Sequence, residues 1–234
     1  MKHVLLEQGQ SQSPTMKIGT ANELLTQKVL ARWENEGGAG PDGPQENHGT
    51  RPASADADAP PRFEHRWHQS LSGGGHVLIR PISKQDASAE RAFIEGLSAN
   101  TQRMRFMAHV KHPSDKFITA LTHVDGISQV ALVAVLKEGA AEKIVGVSRY
   151  HLDAAKNRCE CALVIADDWQ HKGLGTALMK HLIELARTNQ ISTLESVEFA
   201  ENTDMRALMH KLGFHMRSDP DDATQVIYRL VLWA

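Results

Sequence analysis

A chain of 234 residues with 26 Lys and Arg against 28 Asp and Glu carries a formal charge of −2, and so even a balance offers no basic face of the kind that draws proteins to nucleic acid. No apolar run reaches membrane-spanning length, and residues 1–12 lack a secretory apolar core, so a cytoplasmic protein without a membrane partner is expected. The two cysteines, Cys159 and Cys161, stand two apart in a candidate strand; they share a face, pair poorly, and with no histidine at ligand spacing they predict reduced core residues and no metal.

Residues 1–62 contain Glu-Gly-Gly-Ala-Gly-Pro-Asp-Gly-Pro and Ala-Ser-Ala-Asp-Ala-Asp-Ala-Pro-Pro, which bury too little apolar area to offset the entropy of ordering. They predict a largely disordered arm, within which Leu24, Leu25 and Val29 give residues 21–33 a modest helical stripe. Residues 63–234 suffice for one domain with its own core. A first strand is predicted over 77–82, then a helical stretch over 87–107 carrying Phe93, Leu97, Met104, Phe106 and Met107. Residues 129–136 and 143–152 read as paired strands joined by a turn over 137–142. An apolar run from Cys159 to Ala166 reads as a buried strand. Leu174, Leu178, Leu182 and Leu185 then mark a helix, residues 194–200 another strand, and Met205, Leu208, Met209 and Leu212 a last helix, capped by Asn202 or Thr203 and stopped at Gly213.

The junction Gln170-His171-Lys172-Gly173-Leu174-Gly175-Thr176, between strand and helix, is built to hold an anion. At a helix N-terminus unpaired amides and the macrodipole both favour negative charge, glycines let backbone approach a phosphate, and Lys172 adds a cation. A Walker loop would need lysine before Thr176, and a dinucleotide fingerprint a glycine at Leu178; both are missing. What remains, Gln-x-x-Gly-x-Gly, resembles the acetyl-CoA diphosphate loop of the GNAT superfamily of N-acetyltransferases. The strand and helix around Asn202 that close on Gly213-Phe214 resemble the same superfamily, as does the order of the other elements.

Several segments resemble bacterial Pat-like protein lysine acetyltransferases: Phe93-Ile94-Glu95-Gly96-Leu97-Ser98, Arg105-Phe106-Met107, Ala131-Leu132-Val133-Ala134-Val135, Ile144-Val145-Gly146-Val147-Ser148-Arg149-Tyr150 and Val164-Ile165-Ala166-Asp167-Asp168-Trp169-Gln170. The resemblance covers residues 76–232. It implies an α/β GNAT fold: a mixed, mostly antiparallel sheet of about six to seven strands, splayed centrally and flanked by helices. It implies acetyl-CoA as cosubstrate, held by Gln170, His171, Lys172, Gly173, Leu174, Gly175 and Thr176. The backbone amides of Leu163, Val164 and Ile165 would face the thioester, Asn202 the pantetheine arm and Arg206 the nucleotide phosphate; a helix cap is the other reading of Asn202.

Acetyl transfer needs a neutral amine, and a lysine amine has an ordinary pKa of ~10.4, so a positioned base is expected. Glu160, a lone acid in an apolar strand, is the candidate, and resemblance to Pat-like enzymes puts a general base there; the alternative is a strand residue paired with Arg149 or Arg158. Where many superfamily members carry a tyrosine that protonates the leaving thiolate, this chain has Met209, which leaves the proton donor unassigned. Three functions stay open at this point: acetylation of a protein lysine, acetylation of a small amine, and non-catalytic acyl-CoA binding.

Overall fold

A computed structural model describes residues 65–72, 75–139, 141–153 and 158–233; the predicted arm and its short helix lie outside these described residues. An eight-stranded sheet in the order β1-β2-β3-β4-β5-β6-β8-β7 forms the centre. Its strands are β1 (Trp67–Ser70), β2 (His76–Pro81), β3 (Gln129–Glu138), β4 (Ala141–Asp153), β5 (Arg158–Ile165), β6 (Thr193–Phe199), β7 (His215–Ser218) and β8 (Gln225–Val231). The helices are α1 (Ala87–Gly96), α2 (Ala99–Phe106), α3 (Asp115–Thr122), α4 (Leu174–Thr188) and α5 (Thr203–Lys211). All pairings are antiparallel except β5 with β6.

Two predicted features are corrected. The sheet has eight strands rather than six or seven, the edge strand β1 pairing with β2 from Trp67↔Ile79 to Ser70↔His76. The stretch expected as one helix over 87–107 is two: Leu97 turns extended (φ −71°, ψ 144°), and the Ser98 hydroxyl caps the new helix by accepting the Thr101 amide at 3.2 Å.

Alternation sorts the core into two layers. Leu132, Ala134, Leu163 and Leu194 pack with Leu174, Leu178, Leu182 and Met209 of α4 and α5 on one face. Ala131, Val133, Val147 and Val164 pack with Phe93 and Ile94 of α1 and Phe117, Ile118 and Leu121 of α3 on the other. β3, covered on both sides, is accordingly a continuous apolar run. The feature that matters for function is the junction of β5 and β6: only Cys159↔Leu194 and Glu160↔Glu195 pair, and from Cys161 onward the strands part.

Candidate active site

The separation leaves backbone groups without a neighbouring strand. Ala166 N–H donates to Val145 O at 2.9 Å, and Gly146↔Ile165, Val147↔Val164 and Ser148↔Leu163 fix the register. Because antiparallel residues alternate between facing and turning from a partner, the Val164 amide faces β4 while those of Leu163 and Ile165 face the gap. Of the three amides expected to meet a thioester oxygen, these two therefore face the gap and the third does not.

At the end of β5 the chain enters the anion-binding junction. Gly173 is the N-cap of α4 at φ +84°, left-handed backbone that favours glycine. Gly175 is needed for room: a Cβ there would lie 3.1 Å from Leu163 Cδ2 and 3.4 Å from Leu208 Cδ2. The loop is held by Ser72 N–H donating to Lys172 O at 3.2 Å, and Gln170 Nε2 donates to Ile165 O at 3.2 Å. A groove of about 330 Å³ runs from this loop into the gap, lined by Leu163, Val164, Ile165, Gln170, His171, Gly173, Gly175, Thr176 and Asn202. The side chains of three further residues expected here make contacts within the protein. The Lys172 ammonium sits 4.9 Å from the Trp169 ring centroid, Leu174 is buried in the core, and the Arg206 guanidinium donates to Ala200 O. Asn202 caps α5, accepting Met205 N–H at 3.1 Å, and it also lines the groove.

A second cavity, of about 130 Å³, opens on the other side of the gap. Phe106, Phe117, Leu121 and Val124 form an apolar wall, and Arg149, Glu160 and Glu198 line its inner part. Glu160 is half-buried on the last β5 rung that pairs with β6. Arg149 donates to Glu90 Oε1 at 3.3 Å; burial lowers the guanidinium to about 10 against the pull of Glu90, and burial raises the Glu90 carboxyl against Arg149 and Arg105. Cys161 also lines this cavity, yet burial pushes its thiol well above the usual range, which leaves it a poor nucleophile.

Glu198 escaped the sequence reading. It is 6% exposed, accepts the Ser196 hydroxyl at 2.8 Å and the Asn202 carboxamide at 3.4 Å, and lines both cavities, as only Arg105 also does among the described residues. Burial pushes its carboxyl up to about 7, with Glu160 adding to the rise and Ser196, Arg105 and Asn202 opposing it. Alternation was the available signal: Leu194, Ser196 and Glu198 share the buried face of β6.

Helix α2 roofs the parting strands. The carboxylate of Asp167, just past β5, accepts Ser98 N–H at 2.9 Å, the Ser98 hydroxyl at 2.6 Å and the Thr101 hydroxyl at 2.7 Å. At the other end of α2 the Arg103 guanidinium pairs with Glu201 and lies 4.5 Å from the Phe199 ring centroid. Two residues past the second anchor α2 carries Arg105 to the point where the cavities meet.

Comparison with known proteins agrees with this geometry. Residues 94–214 match the family model described as Acetyltransferase (GNAT) family. The chain is 44% identical over 166 residues to Acetyltransferase PA5475 of Pseudomonas aeruginosa, covering 71% of this chain and 89% of that protein. It is 26% identical to Acetyltransferase Pat of Mycolicibacterium smegmatis, covering 60% of this chain and 41% of that one. Among solved structures, the GNAT domain of S. lividans PAT superposes with a TM-score of 0.65 at 24% identity, over 71% of this chain and 96% of that chain. The structure of yncA from Salmonella typhimurium with its cofactor acetyl-CoA superposes with a TM-score of 0.53 at 18% identity, over 68% and 96%.

Proposed function

The chain belongs to the GNAT acetyltransferase family, and on that premise we propose that it transfers the acetyl group of acetyl-CoA to the ε-amine of a protein lysine by direct attack in a ternary complex. One observation carries the reading: the groove and the inner cavity meet where β5 and β6 part, so an amine entering one side reaches a thioester entering the other. The residues of the groove fit the cosubstrate. The α4 N-terminus with Gly173 and Gly175 suits a diphosphate, and the inward Leu163 and Ile165 amides suit a carbonyl oxygen that gains charge during attack. Bound acetyl-CoA supplies an activated acyl carbon and a thiol leaving group.

The protein's own groups do the rest. Glu160, in the inner cavity, accepts a proton from the incoming ammonium and leaves the neutral amine as nucleophile. The apolar wall of Phe106, Phe117, Leu121 and Val124 suits an unbranched alkyl stem that carries its charge to the carboxylates, as a lysine does. The Cys161 thiol, held protonated by burial, is poorly suited to form an acyl-enzyme, which favours direct attack. The same cavity also suits a small alkylamine, which is the second reading.

The test is incubation with labelled acetyl-CoA, a cell extract and a panel of small amines. Label on protein lysine is the expected result. Label confined to small amines replaces the acceptor assignment with the second reading, and tight acetyl-CoA binding with no CoA release overturns transfer itself.

A further inference from the structure

We propose that Glu198 is the proton donor to the CoA sulfur as the C–S bond breaks, an inference that rests on the transfer reading above. Its position carries the argument. The carboxyl stands at the meeting point of groove and cavity, where the thioester must lie for an amine in the inner cavity to reach it. Glu198 shares its strand face with Leu194 and so turns toward the layer of α4 and α5, the side on which Asn202 caps α5. Met209 lies in that layer, fully buried and without a proton to give. The other ionisable groups lining the groove are Arg105, His171, Asp204 and Lys211. His171, in the loop that opens α4, and Asp204 face one another 3.6 Å apart, Lys211 lies at the C-terminal end of α5, remote from the Asn202 cap that touches Glu198, and a guanidinium is too weak an acid.

The surroundings also suit a carboxyl that shuttles between forms. Arg105 of α2 faces it, as do Glu160 and Cys161 of β5, while Ser196 and Asn202 hold its two oxygens. With its pKa pushed to about 7, a large share is protonated near neutrality. The protons balance. As the N–C bond forms and the C–S bond breaks, the ammonium nitrogen loses two protons; sulfur receives one from Glu198, and the nitrogen's two restore Glu198 and leave to solvent through Glu160 and water.

The direct test needs no acceptor. In the complex with CoA, the ultraviolet absorbance of the thiolate reports ionisation of the thiol. Above pH 7 the Glu198 carboxylate beside the sulfur disfavours a second negative charge, so the wild-type complex should ionise about tenfold less readily than the Glu198→Gln complex. Glu198→Asp should restore part of the difference. Calorimetric CoA affinity within about threefold of wild type certifies that the variants are folded and loaded. In turnover of a blocked lysine amide, the fall in kcat above pH 7 should vanish in Glu198→Gln. Identical thiol titrations in wild type and variant overturn the assignment to Glu198 and leave the transfer reading standing. Failure of the wild type to bind CoA, or to release it from acetyl-CoA with any amine, overturns the transfer reading and the Glu198 role with it.

Discussion

Asn202 caps α5 with its carboxamide oxygen and donates with its nitrogen to Glu198 Oε2 at 3.4 Å, so one side chain joins the helix N-terminus to the acid between the two cavities. Even so, burial dominates and the Glu198 carboxyl titrates at about 7 instead of 4.5. Between those values the folded protein holds a proton that the unfolded chain has lost, so stability must fall as pH rises through this window and level off above it. Glu198→Gln removes the slope. Melting temperatures measured from pH 5 to 8 should show the variant gaining on wild type as pH rises, by up to about 3 kcal/mol. Parallel curves would refute the buried titration.

Glu160→Gln should leave the acetyl-CoA dissociation constant within about twofold and lower kcat by about 10²-fold or more, the size of a general-base contribution. Stopped assays of CoA release beside calorimetry separate the two quantities. Equal turnover at neutral pH would remove Glu160 from the chemistry.

Gly175→Asp should do the reverse. A Cβ at this position lies 3.1 Å from Leu163 Cδ2, and a carboxylate at the start of α4 repels a diphosphate. A rise of at least tenfold in the acetyl-CoA dissociation constant, about 1.4 kcal/mol, is expected from calorimetry. Unchanged affinity would place the diphosphate elsewhere.

Asp167→Asn tests the roof. The charged carboxylate accepts three hydrogen bonds from the start of α2, and its neutral replacement weakens them on an exposed surface by about 1 kcal/mol in all. Since α2 carries Arg105 to the meeting of the cavities, kcat should fall by more than acetyl-CoA affinity does. A variant matching wild type in both would separate the roof from catalysis.

Much of this architecture is legible in the sequence because its signals are local. The leucine spacing of α4, the Asn202 cap, the Gly213 stop at φ +85° and the glycines of the loop are each set by their neighbours along the chain. The edge strand β1 was missed since Trp67, His68, Gln69 and Ser70 lack an apolar alternation, and its place is fixed by pairing with β2. The break at Ser98 was missed for a related reason. It is stabilised by Asp167, which no spacing places near it. Glu160 stood out as the lone acid of an apolar strand, whereas β6 carries two acids, Glu195 and Glu198, beside Thr193 and Ser196, and the burial of Glu198 comes from tertiary packing. The place of the Lys172 ammonium over the Trp169 ring is likewise a tertiary detail that no local pattern encodes.

The central claim is that the gap between β5 and β6 receives the thioester, and a crystal of the protein with acetyl-CoA tests it most directly. The account predicts the thioester oxygen within hydrogen-bonding distance of the Leu163 or Ile165 amide and the diphosphate on the amides that open α4. A bound acetyl-CoA whose thioester lies outside that gap would contradict it.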